Sequence, residues 1–221
     1  MIRLHSRGMQ FFCCQNINGG RDMTNFCGTS EITGARFSIY PMSDRFVDII
    51  LSALEEVDTS KVWMETDDVS TCVRGRSEHV FDVVKAIFLE SSKNGDHVVL
   101  QATFSNGCPG DSAGDVYLSE NAERLNEQKS MQISQEVAVQ FALYPMGIPT
   151  YMNVIMDQCQ LAQDQGTFTK GVHYASRLDG DANKVFKTLE DAFQGAHDSD
   201  STHIVMTVAM SANSPSKKED K

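Results

Sequence analysis

The chain repeats itself, and the repeat limits what it can fold into. Phe37-Ser38-Ile39-Tyr40-Pro41-Met42 returns as Phe141-Ala142-Leu143-Tyr144-Pro145-Met146. His79-Val80-Phe81, followed by Phe88, returns as Lys184-Val185-Phe186, followed by Phe193. His97-Val98-Val99-Leu100 returns as His203-Ile204-Val205-Met206, and Ser105 with Pro109 is matched by Ser211 with Pro215. The period is about 105 residues and the matches keep their order, so the chain is two copies of one supersecondary unit.

Hydrophobic periodicity identifies that unit. Residues 35–42 alternate as a strand. Ser43 can cap a helix over about 44–56, with an apolar stripe at Phe46, Ile49, Ile50, Ala53 and Leu54. Residues 60–66 and 69–75 read as short strands joined by Asp67-Asp68. Ser77 can cap a helix striped by Val80, Phe81, Val84, Ile87 and Phe88, and 97–105 is a last strand. The second copy gives a strand at 138–146 and a helix at about 149–164 with Pro149 in its first turn. A hairpin over 167–178 follows, then a helix capped by Asp181, then a strand at 203–211. The order βαββαβ is the ferredoxin-like unit. The expected fold is therefore α+β: two tandem ferredoxin-like repeats, their antiparallel sheets carrying helices on one face.

The expected domains are a first repeat over 23–106, a linker over 107–136 and a second repeat over 137–213. Residues 1–22 read as an extension outside the folded unit, non-native or disordered, and 214–221 as a flexible tail. The linker is long and rich in Gly, Asp, Ser and Glu, which suits a segment that wraps or caps something. Each unit leaves one sheet face uncovered, and two such faces can cover each other within a chain or between chains. A homodimer through these faces is the expectation.

Composition excludes several functions. The net charge is −11 with no dense Lys/Arg patch, which excludes a nucleic-acid footprint. The six cysteines form neither a CxxC pair nor a disulfide pattern, so no metal site is expected and a reducing, cytoplasmic setting is. No apolar run is long enough to span a bilayer, so no membrane insertion is expected.

Strand alternation picks out candidate ligand contacts. Phe37 and Ile39, and their counterparts Phe141 and Leu143, should face the helices, with Ser38 and Tyr40 on the opposite face. In the third strand the helix-facing set is Val69, Thr71 and Val73; its counterpart is Tyr174, Ser176 and Leu178. Thr71 and Ser176 put a hydroxyl at equivalent places in apolar sets. Such a hydroxyl either bonds a nearby backbone carbonyl or serves as a polar contact at the floor of a small-molecule pocket. His97 and His203 open the last strands and read as surface residues. His173 and Asp179 fit no hydrolase spacing, and Cys72 should point away from Thr71. No nucleophile elbow, phosphate loop or dinucleotide fingerprint is present, and Gly107-Cys108-Pro109-Gly110-Asp111 reads as a turn.

Several motifs together resemble the YkoF family. They are Cys27-Gly28-Thr29-Ser30, Arg36 to Met42, Asp58-Thr59-Ser60-Lys61-Val62-Trp63 and Gly107 to Asp111, then Gln140 to Met146, Gly171-Val172-His173-Tyr174-Ala175-Ser176, Leu178-Asp179-Gly180-Asp181 and Ser211-Ala212-Asn213-Ser214-Pro215. The resemblance runs over about residues 23 to 217. It implies tandem ferredoxin-like repeats, a homodimer, and binding of thiamine or its hydroxymethylpyrimidine moiety. It also implies a part in uptake or salvage of that precursor, in association with a precursor transporter. The family's ligand contacts map onto Ile39, where Leu is usual, and Thr71 of the retained Ser70-Thr71 pair. The expected first site is thus Ile39, Thr71, Ser38, Phe37 and Val69, and the second-repeat pocket is Leu143, Ser176, Phe141 and Tyr174, where Tyr174 fills part of the space. Thiamine would be a bound ligand rather than a cofactor, and no catalytic residue is called for. Two other readings stand beside this one: a structural or regulatory dimer without ligand, and an enzyme acting on the pyrimidine through Cys72, His173 or Asp179.

Overall fold

A computed structural model describes residues 31–108, 118–119 and 121–216. Residues 1–22 therefore lie outside the described residues, as do the Cys27 motif and most of the tail. The first repeat runs β1 (Thr33–Pro41), α1 (Phe46–Glu56), β2 (Trp63–Thr66), β3 (Thr71–Gly75), α2 (Ser77–Ser92) and β4 (Val98–Asn106). A short α3 (Glu127–Ser130) lies in the connection. The second repeat is β5 (Glu136–Met146), α4 (Tyr151–Asp164), β6 (Phe168–Val172), β7 (Ala175–Asp181), α5 (Ala182–His197) and β8 (His203–Ala212). The two ferredoxin-like units are thus present in the expected order.

The strands form one eight-stranded sheet, ordered β2-β3-β1-β4-β8-β5-β7-β6 and antiparallel throughout. The fourth strand of a ferredoxin-like unit is an edge, and an open edge invites pairing. Here β4 and β8 satisfy each other, from Val98↔Ala212 to Asn106↔Ile204. The His97 Nε2–Ser211 Oγ contact of 3.1 Å is mirrored by Ser105 Oγ–His203 Nε2 at 2.9 Å. Both histidines are accordingly cross-repeat partners rather than bare surface residues. Edge-to-edge fusion puts both helix-free faces on the same side, so the repeats do not cover each other within the chain. The remaining edges, β2 and β6, are short, and β6 carries a register shift between Phe168 and Lys170.

Helix-facing residues from both repeats make one core. Phe81 of α2 stacks on Phe104 of β4 at 4.2 Å, and Phe193 of α5 closes on Phe81 at 5.7 Å, so the aromatic centre spans the repeat boundary. The connection passes over this helix layer. Asn126 donates twice to Asp82 Oδ2 of α2 at 2.9 Å, Lys85 pairs with Glu127, and Arg124 makes two 2.8 Å bonds to Glu190 of α5. Residues 124–127 thus lie against the helices, and thirteen of the sixteen α2 residues are buried.

Local starts differ from expectation in part. Asp181 caps α5, its carboxylate accepting the Asn183 N–H at 3.0 Å. Ser43 accepts from the Arg45 N–H, but α1 begins only at Phe46. Ser77 is the first residue of α2 rather than its cap, and Pro149 precedes α4. β2 is shorter than expected, and Val69 and Ser70 belong to the turn before β3, because Asp67 Oδ1 accepts both their N–H groups at 2.8 Å and closes the loop.

Candidate functional site

The register puts the two expected hydroxyls in equivalent settings. Thr71 pairs across the sheet with Phe37, and Ser176 pairs with Phe141. Phe37 and Phe141 are each 3% exposed and lie within their strands' helix-facing rows. Ile39 is half-buried in its row, and Leu143 is buried.

In the second repeat a cleft of about 730 Å³ opens between β5, the start of α4 and the β6–β7 hairpin. Its lining includes Phe141, Leu143, Tyr151, Ile155, Ser176 and Tyr174. All four residues expected for a second-repeat pocket therefore border one space. Tyr174 does not fill it. It sits at the hairpin turn with φ 66° and is 97% exposed, at the lip. The residue that sequence reasoning missed is Cys159 of α4, whose Sγ lies 3.4 Å from Ser176 Oγ. Its signal was its place in the α4 helix opposite the strand; a lone cysteine carries too little pattern to be noticed by spacing. The two polar side chains lie at one spot and the rest of the lining is apolar, aromatic or backbone, the usual build of a small-molecule site.

In the first repeat Thr71 Oγ1 lies 2.9 Å from Thr66 Oγ1 of β2, its cross-strand partner. This is neither a bond to a backbone carbonyl nor an idle hydroxyl. One hydrogen is used between the two oxygens, so the pair keeps a second hydroxyl hydrogen and spare lone pairs for another group. Two expected members of this site stand elsewhere. Ser38 is on the helix-free face, where it donates to the Val69 carbonyl at 3.2 Å. Val69 is 77% exposed in the turn. Arg36, on the same face as Ser38, reaches Asp67 and Ser70 at 3.2 and 3.1 Å and ties the turn to β1. That hydrogen bonding, chiefly from the Ser70 and Val69 N–H groups, holds the Asp67 carboxyl below the usual carboxylate range.

The groups considered for chemistry are dispersed. Asp179 accepts from Thr169 at 2.6 Å and is clamped by Arg177 at 2.8 and 3.0 Å. His173 lies at the hairpin tip next to Tyr174. Cys72 alternates to the sheet face opposite Thr71. Among the described residues, no group of three His, Cys, Asp or Glu side chains is placed to hold a metal ion, and no helix is long and apolar enough to cross a membrane.

Comparison with known proteins agrees with the duplication. The model of the "YKOF-related Family" matches twice, over residues 32–111 and 136–217, once per repeat. The chain is 53% identical over 199 residues to a Bacillus subtilis (strain 168) protein named "Putative HMP/thiamine-binding protein YkoF", a match covering 90% of this chain and 99% of that one.

Proposed function

We propose that this chain, which belongs to the YKOF-related family, binds thiamine or its hydroxymethylpyrimidine moiety in sheet–helix clefts and releases it unchanged. The observation that carries the reading is the second-repeat cleft, with a hydroxyl on its strand floor at the register position that Thr71 holds in the first repeat. A flat aminopyrimidine offers ring nitrogens and an amine. A strand hydroxyl can meet one of these while Phe141, Leu143 and Ile155 cover the ring faces. The cationic thiazolium can lie outward, in the acidic field of a chain with net charge −11. Neither Ser176 nor Cys159 has a base beside it, and the lining suits holding a ring rather than proton transfer. The relative's name, that of a binding protein, supports the same reading.

The first-repeat site in this proposal is Thr71 with its Thr66 partner, Phe37 and the β1 backbone at Ile39. The binding serves uptake or salvage of the thiamine precursor beside its transporter. The setting is the cytoplasm, where thiols such as Cys108 and Cys159 stay reduced. Titration calorimetry of the purified chain with thiamine and with hydroxymethylpyrimidine, in the presence of a chelator, tests the proposal. Heat of binding that saturates is the expected result. Folded protein that binds neither compound overturns it.

A further inference from the structure

We infer that the second-repeat cleft selects the unphosphorylated heterocycle and rejects its phosphomonoester; this rests on the ligand class proposed above. None of the sixteen residues lining the cleft is Asp, Glu, Lys, Arg or His. Its polar side-chain contacts other than tyrosine hydroxyls are Ser176 on the strand floor and Cys159 on α4 above it. At the mouth stand Tyr151, Met152 and Tyr174, all broadly exposed. Their π faces and polarizable sulfur suit a flat ring or a soft organic cation, since an aromatic face attracts positive charge.

A phosphomonoester brings a charge of about −1.5 to −2 and three acceptor oxygens, which proteins meet with arginine, lysine or a ring of N–H donors. This cleft offers one candidate, the N-terminus of α4 at Tyr151, whose Thr150 N-cap makes no side-chain bond. A helix end carries about half a unit charge. Carried at the mouth on the outward thiazolium, the phosphate finds no cationic side chain beside Tyr151, Met152 and Tyr174, so most of its charge stays unbalanced, and the net charge of −11 repels the dianion at longer range. The same lining that accepts the parent ring therefore excludes its phosphorylated form.

Calorimetry of the full chain with thiamine and with thiamine monophosphate is the test, repeated on Met152→Lys. Thiamine should bind at least about tenfold more tightly than its phosphate ester, as expected for a dianion that meets no cationic side chain. Met152→Lys, which puts one cation at the mouth, should narrow that ratio by about threefold or more through the phosphate arm. Equal affinity of the two ligands for the original chain overturns the inference and leaves the proposed function standing. An unchanged ratio in Met152→Lys overturns the assignment of the discrimination to this cleft. If thiamine itself fails to bind, the proposed function falls, and this inference with it.

Discussion

Replacing Thr71 by Val separates a ligand contact from a purely structural hydroxyl. The substitution keeps the branched shape that suits a strand and removes one hydroxyl. Among the described residues that hydroxyl bonds only Thr66 Oγ1, at 2.9 Å, and Thr66 is exposed, so water can take up the lost partner. A neutral hydrogen bond contributes about 0.5–1.5 kcal/mol net, and solvent access puts this one at the low end. The melting temperature should thus fall by no more than about 2–4 °C. A ligand bond made in a drier site is worth about 1–3 kcal/mol, so affinity for thiamine at the first-repeat site should fall by roughly one to two decades. Thr66→Val is the control. It breaks the same pair but leaves Thr71 its hydroxyl, so affinity should stay within about threefold, the effect of less than 1 kcal/mol. The assay is calorimetry and thermal unfolding on the three proteins. A Thr71→Val chain that binds thiamine as well as the original refutes the assignment, and lost stability with unchanged affinity makes Thr71 structural.

Two further outcomes follow from the fold. His79 is 2% exposed, and burial, reinforced by Lys61, lowers its pKa below the ordinary 6.5; burial lowers that of His203 in the same direction. Below about pH 6.5 the unfolded chain takes up protons that the folded chain refuses, so stability should be full above that value and decline as pH falls through the lowered folded values. Urea midpoints measured from about pH 7.5 to about pH 5.5 should fall, and His79→Gln should flatten the slope; a midpoint independent of pH over that range contradicts this. The helix-free face, with Tyr40 and Tyr144 about half exposed and Thr103↔Thr207 at its centre, should pair with a second copy. Light scattering should give twice the chain mass and Thr207→Arg should yield monomers; a monomeric original chain at micromolar concentration refutes the pairing.

The repeat and its periodicities made most of the fold legible, because the apolar stripes of α2 and α5 land on the face the structure buries, whereas α1 fully buries only Ala53 of its stripe and leaves Phe46 51% exposed. Val80, Phe81, Val84, Ile87 and Phe88 are all in the core, as are Val185, Phe186, Leu189 and Phe193. What alternation could not supply was where a strand stops. Val69 continues the pattern of β3 on paper, yet the Asp67 carboxylate draws the Val69 and Ser70 N–H groups into a turn, and local side-chain bonding overrides strand register there. The outer face of α2 was equally hidden. His79, Asp82 and Lys85 look like a solvated surface until Asn126 and Glu127 of the wrapping connection meet two of them. Contacts between segments so far apart leave no periodic trace.

The same duplication explains why the surroundings of Thr71 and Ser176 have parted chemically while the sheet has not. Continuity of eight strands demands that β4 and β8 stay complementary along their length, and the crossed His97–Ser211 and Ser105–His203 contacts keep that symmetry at the side-chain level. No such demand acts on the partner of the floor hydroxyl. In the first repeat it is Thr66, directly across the hairpin from Thr71. The corresponding position across from Ser176 is Gly171, with open space where a side chain would stand. Ser176 instead meets Cys159 on α4, at the place where α1 carries Leu54 of the apolar stripe. The hydroxyl has thus kept its register while its partner has moved from a neighbouring strand to the helix above. A strand-borne partner holds the Thr71 hydroxyl in the sheet, whereas a weakly bonding thiol on a helix lets Ser176 answer to whatever lies in the cleft. Where the pseudo-symmetry is kept, backbone pairing requires it; where it lapses, the hydroxyl-bearing hairpins of the two repeats can differ without disturbing the sheet that joins them.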